Sequence, residues 1–276
     1  MRALVALMRA LVALMWALVA LVALVALVCV AVLAGCTPTI AEFPGGAVAD
    51  YQLGGAYDPD PDVDIVARDS TATPAPGVYS ICYVNGFQTQ PGVEWPRELL
   101  VSVNGEPLTD PNWPDEYIID ISTESSRADA AAIQFASIER CAAAGFDAVE
   151  FDNLDSYSRS EGRLTLGNAV EFATLLVAHA HHLGLAAGQK NTGELGTTGR
   201  DEIGFDFAIV EECDQFEECE SFTEVYGDRV VDIEYVDDLR RPYAELCADA
   251  SAAASTILRD RGLSPRGADD YVYEHC

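Results

Sequence analysis

Acidic residues recur in this chain where an apolar run breaks off. Ala148-Val149 leads into Glu150-Phe151-Asp152-Asn153-Leu154-Asp155-Ser156-Tyr157, and Ala208-Ile209-Val210 leads into Glu211-Glu212-Cys213. Ile233 is followed by Glu234-Tyr235, Tyr117-Ile118-Ile119 by Asp120, and another run ends in Lys190-Asn191. Lys190 is the only lysine among 16 basic residues. Acids gathered around one lysine suit proton transfer to and from an oxygen. Glycoside hydrolysis needs such a set: one carboxylic acid protonates the leaving oxygen while a second carboxylate acts as nucleophile or base. The lysine would favour the ionised form of one neighbour, so that two acids hold different protonation states. The alternative for Lys190 is a structural salt bridge beneath the rim.

Positioning these residues is the task of short strands alternating with Ala-rich helices. The spacing predicts strands at 50–53, 63–67, 77–83, 117–121, 148–151, 185–189, 205–210 and 229–233, which is the strand count of a closed (β/α)8 TIM barrel. Helical periodicity covers Ala128 to Ala144, ending at Gly145, and Asn168 to Leu183, ending at Gly184. The runs are continuously apolar rather than alternating, as expected of a parallel sheet covered by helices. In such a barrel the active site lies on the loops at the C-terminal strand ends, where the acids fall.

The whole chain has 276 residues and a formal charge of −29. Its first 36 residues contain Arg2, Arg9 and no acid, which leaves about −31 for the remainder. That charge excludes nucleic acid as a natural partner, since phosphate would be repelled, and favours a neutral or cationic ligand. Residues 1–36 read as an export signal: two arginines, a long apolar run, then Leu33-Ala34-Gly35-Cys36. An ending of that kind resembles a bacterial lipobox, which would make Cys36 the lipidated first residue of an extracytoplasmic protein tethered to the membrane by that lipid alone. An ordinary cleaved signal or an uncleaved anchor are the alternatives, the run exceeding the ~20 residues that span a bilayer. Residues 37–46 then form a tether, and 47–276 a single domain.

Outside the signal, Cys82, Cys141, Cys213, Cys219, Cys247 and Cys276 make an even six, which suits an oxidising compartment. Six thiols allow 15 pairings. Cys213 with Cys219 would close a short loop, and Cys247 with Cys276 would staple the chain end, leaving Cys82 with Cys141. A zinc site is the alternative, but no Cys-x-x-Cys or His-x-x-x-His spacing supports it. The acids Asp58, Asp60, Asp62, Asp64 and Asp69 echo a calcium loop but lack its glycine and terminal glutamate. His179, His181 and His182 do not share one helix face. No metal and no cofactor is expected.

The chain resembles glycoside hydrolase family 114, the endo-α-1,4-polygalactosaminidase group. The resemblance rests on Asp50-Tyr51-Gln52-Leu53, Val78 to Tyr83, Trp113 to Ile121, Gly145 to Tyr157, Gly184 to Asn191, Phe205 to Cys219 and Ile233-Glu234-Tyr235. Glu-x-Asp-Asn-x-Asp-x-Tyr followed by Gly-x-Lys-Asn and Glu-Glu-Cys-x5-Cys, in that order, is its most specific part. It implies a TIM barrel that cuts galactosamine-containing polysaccharide, with Asp152 and Glu211 as catalytic carboxylates. It also implies Gln52, Tyr83, Asp120, Asp155, Tyr157, Lys190 and Glu234 as pocket residues that bind substrate. Separately from the resemblance, the chain is expected to act as a monomer. The sequence departs from the family at Val84-Asn85-Gly86-Phe87, at Phe151 in place of a usual proline, and at Val210 in place of a usual asparagine. Acidic charge fits this substrate, because partly deacetylated galactosaminan carries ammonium groups. A barrel that binds glycan without cutting it is the competing reading.

Overall fold

Short runs of Val, Ile, Ala and Phe form eight parallel strands in the computed structural model of the chain, which describes residues 39–276 together with Met1, Met15 and Trp16. In chain order these are β1 (Ala49–Tyr51), β2 (Ile65–Asp69), β3 (Tyr79–Asn85), β4 (Ala148–Asp152), β5 (Ala186–Lys190), β6 (Phe207–Glu211), β7 (Val230–Tyr235) and β8 (Ser255–Arg259). Each pairs with the next, and β9 (Tyr273–His275) adds antiparallel to β8. No ladder joins β8 to β1 among the described residues, yet side chains bridge that seam. Ser255 Oγ donates to Ala47 O at 2.5 Å, and Tyr273 OH to Ala49 O at 2.9 Å. Arg259, wholly buried, donates to Asp50 Oδ1 at 3.0 Å and to Tyr51 O. A buried guanidinium is tolerable there because a carboxylate and carbonyls satisfy its fork of donors.

Four α-helices are described: α1 (Glu124–Ala144), α2 (Leu166–His182), α3 (Cys219–Tyr226) and α4 (Tyr243–Cys247). The first two begin at capping boxes, Thr123 with Ser126 and Thr165 with Asn168, which explains why both start ahead of their periodic apolar residues. α1 ends at Gly145, whose φ of 91° is the left-handed turn glycine supplies. The links 52–64 and 70–78 carry no helix, so the helical layer covers mainly the later strands.

Side chains alternate strictly along the strands. Ala148, Phe207, Ile209, Val231, Ile233 and Ile257 face the barrel interior, while Val149, Phe151, Ala208, Val210 and Val230 pack outward under the helices. Gly188 of β5 faces inward too, and pairs in register with Phe207. A Cβ at Gly188 would lie 2.6 Å from the Phe207 ring, so glycine is what lets that ring cross the interior.

Several expectations change. Residues 117–121 are not a barrel strand, making only isolated bridges with Gln88, Leu100 and Thr109 in the long β3–α1 excursion. The eighth strand is Ser255–Arg259, a Thr-Ile-Leu run masked in the sequence by its Ala-rich approach. In the expected tether 37–46, Phe43 is buried against the barrel floor. Its ring stacks on Phe207 (centroids 4.4 Å apart) and meets Tyr79 edge-on (5.5 Å). The signal residues 2–14 and 17–36, with the lipobox and Cys36, lie outside the described residues, as do Thr37 and Pro38. The disulfides pair as expected: Cys82–Cys141 ties β3 to α1, Cys213–Cys219 closes the turn from β6 into α3, and Cys247–Cys276 ties α4 to the chain end.

Candidate active site

Period-two alternation puts inward residues near the ends of neighbouring strands side by side: Tyr83 and Asn85 on β3, Glu150 and Asp152 on β4, Lys190 on β5, Glu211 on β6 and Tyr235 on β7. Lys190, only 2% exposed, is their hub. Its Nζ lies 3.5 Å from Glu150 Oε1, 3.6 Å from Asp152 Oδ1 and 3.5 Å from Glu211 Oε2, and donates to Tyr51 OH at 2.9 Å. Each carboxylate also has its own tyrosine. Tyr51 OH donates to Glu150 Oε1, Tyr83 OH to Asp152 Oδ2 at 2.6 Å, and Tyr235 OH to Glu211 Oε1. Asn191 Oδ1 accepts from the Glu211 amide at 2.9 Å, pinning the end of β6.

Burial pushes the Glu150 carboxyl up to about 7, although the Lys190 charge and the Tyr51 hydrogen bond pull the other way. For Lys190, burial works against the charge, but Asp152, Glu211 and Glu150 outweigh it and hold the ammonium well above its usual range. Burial, followed by the nearby carboxylates, raises the phenols of Tyr51, Tyr83 and Tyr235, so all three stay protonated as donors. Immediately past the strands the backbone turns left-handed at Asn153 (φ 61°), Asn191 (47°), Thr192 (64°) and Glu212 (60°). Non-glycine residues in that region store strain of roughly 1–3 kcal/mol each, a feature that clusters at functional sites.

Above this floor opens a cavity of about 660 Å3, walled by Trp113, Glu116, Arg159 and Arg261 among others. Arg159 bridges Asp110 (2.5 Å) and Asp155 (2.6 Å), and Arg261 holds Glu212 at 2.8 Å. Of the residues expected in a pocket, Asp152, Glu211, Tyr83, Asp155 and Lys190 line this cavity. Four do not. Gln52 lies behind the wall, its amide donating to Asp50 at 2.7 Å and accepting from Arg68 at 3.0 Å. Asp120 caps Ser122 N at 2.9 Å outside the site, since its segment is not a barrel strand. Tyr157 turns to Glu194. Glu234 has the opposite parity to Tyr235, so it points out of the barrel and accepts from the Asp214 amide at 2.8 Å. Glu150, Tyr51, Tyr235 and Asn191 join the site although the sequence assigns none of them a catalytic or binding role. Parity would have found Glu150, two residues before Asp152 on the same strand; Tyr51 and Tyr235 each adjoin a polar neighbour on the same strand, and only the register of the packed sheet turns the tyrosine inward.

For a metal, the described residues offer one grouping, Cys213, Cys219 and Asp232. Both sulfurs are spent in a disulfide, so that set does not fit an ion.

A protein-family model described as Glycoside-hydrolase family GH114 matches residues 32–276. The fold resembles that of Aspergillus fumigatus Ega3, solved as a complex with galactosamine, at 22% identity and a TM-score of 0.69, covering 88% of this chain and 100% of that one. It also resembles the glycoside hydrolase domain of PelA from Pseudomonas aeruginosa, at 16% identity and a TM-score of 0.54, covering 81% and 98%. Comparison with curated proteins finds no match.

Proposed function

The chain belongs to glycoside-hydrolase family GH114 and is a glycoside hydrolase; from that premise we propose that it cleaves α-1,4-linked galactosamine-containing polysaccharide from within, with Asp152 and Glu211 as the catalytic pair. One observation carries the reading: the two carboxylates share the Lys190 ammonium at the floor of an open cavity, each steadied by a tyrosine. Having one nitrogen in common keeps their nearest oxygens within about 7 Å of each other, which supports the closer, retaining arrangement over most of the inverting range. Asp152 attacks the anomeric carbon while Glu211 gives its proton to the departing glycosidic oxygen. Glu211, now a carboxylate, takes a proton from water, whose oxygen attacks the same carbon and releases Asp152. Tyr83 and Tyr235 hold Asp152 and Glu211 in place, and Lys190 balances the charge of Asp152 before attack and of Glu211 once its proton has left. Asp155, through Arg159, shapes the wall beside Asp152.

Ega3, whose structure holds galactosamine, supports the choice of sugar. Three disulfides support an oxidising, extracytoplasmic setting, and the lipobox-like Leu33-Ala34-Gly35-Cys36 supports tethering through Cys36.

The test is reducing-end release by residues 37–276 from partly deacetylated α-1,4-galactosaminan, beside the Glu211→Gln protein. Cleavage by the first and none by the second is the expected result. Binding without cleavage in both would move the protein to a glycan receptor.

A further inference from the structure

Six carboxylates line the cavity: Asp110, Glu116, Asp152, Asp155, Glu211 and Glu212. Five are ion-paired, to Arg159, Lys190 or Arg261. Glu116 is the exception, with no basic partner among the described residues; its Oε2 accepts only from Asn85 Nδ2, at 2.7 Å. Burial, reinforced by the fields of Asp152 and Asp110, raises its carboxyl above the usual range despite that hydrogen bond and the opposing charge of Arg159, with which it forms no ion pair. A half-buried carboxylate without an ion pair costs stability rather than adding to it, and the Asn85 hydrogen bond offsets only part of that cost.

Its loop is built to hold still. Asp110 N donates to Glu116 O at 2.9 Å, and Glu116 N to Trp113 O at 2.9 Å. Asp110 is itself clamped by Gln88 at 2.7 Å and Arg159 at 2.5 Å. The turn presents Trp113, 63% exposed, on the same wall as Glu116. Asn85 connects Glu116 to the reacting end: its Oδ1 accepts from Asn153 Nδ2 at 2.9 Å, and it lies in register with Asp152.

Resting on the glycosidase reading above, we propose that the 110–117 loop reads the sugar whose bond is cut, Trp113 stacking on its ring and Glu116 pairing with a free ammonium at C2. C2 is bonded to the anomeric carbon that Asp152 attacks, so the group that recognises its substituent must lie within electrostatic reach of Asp152 and make no ion pair of its own. Glu116 meets both conditions. An N-acetyl group at C2 would bring no charge and leave Glu116 covered and unpaired. Specificity for the de-N-acetylated unit therefore lies in one side chain outside the catalytic pair.

The experiment measures equilibrium binding by calorimetry to an α-1,4-linked galactosamine oligosaccharide and to its fully N-acetylated counterpart. It uses the Glu211→Gln protein so that no turnover intervenes, and the same protein carrying Glu116→Gln or Trp113→Ala. With Glu116 present, the free amine binds tighter by about tenfold to a hundredfold, the range of a charge-assisted hydrogen bond, and the advantage shrinks in high salt. Glu116→Gln abolishes the advantage by weakening only the amine, while Trp113→Ala weakens both oligosaccharides alike. An unchanged preference in Glu116→Gln, with both sugars still bound and the wild type still cleaving, overturns the role of Glu116 and leaves the glycosidase standing. Failure of Glu211→Gln to bind either sugar, with no cleavage by the wild type, overturns both.

Discussion

Lys190 decides how three acids can share one pocket. Removing it as Lys190→Met leaves Glu150, Asp152 and Glu211 facing one another, a loss of about 3–5 kcal/mol of stability by analogy with breaking a buried ion pair. Urea unfolding at pH 8 reads this loss, and at pH 5 it shrinks because Glu150, raised to about 7, is then protonated. Asp152→Asn and Glu211→Gln are expected to lower kcat by about a thousandfold or more while retaining the fold, seen as an unchanged circular-dichroism spectrum. Retained turnover in either variant would remove that residue from the chemistry.

Strands place these groups more firmly than loops would. The apolar runs in the sequence stop just short of Asp152, Lys190, Glu211 and Tyr235, yet each of these is the last residue of its strand, held by the ladder. Parity along β7 then separates two neighbours: Tyr235→Phe, which removes the donor to Glu211, should cut kcat by about tenfold, whereas Glu234→Gln should leave it within about twofold. Equal effects would mean that the register is misread. On β5, Gly188→Ala forces a methyl against Phe207 and should cost about 1–3 kcal/mol in urea unfolding, with normal KM in whatever fraction folds.

At the scale of the whole molecule, acids buried outside the barrel set the pH response. Burial raises Glu234 to about 7 and moves its neighbour Asp232 well upward. Such groups favour folding fully below about 4.5, where unfolded glutamate is also protonated, and that contribution is lost as pH rises through 7. The Tm should therefore fall between pH 5 and pH 8, and fall less in Glu234→Gln; an identical decline in the variant would show that Glu234 plays no part. The sequence by itself determined the class of barrel, the six cysteines that pair, and the strand-end acids with their lone lysine, because apolar run length, cysteine parity and residue type are local properties of the chain. It could not determine that Ser255–Arg259 rather than 117–121 completes the eight strands, nor that Phe43 plugs the floor, since both depend on which surfaces meet after the sheet has curled. Tertiary structure alone decided which member of Tyr51-Gln52 and Glu234-Tyr235 faces inward. One residue of register exchanges the faces of a strand, and only the packing of all eight fixes that register.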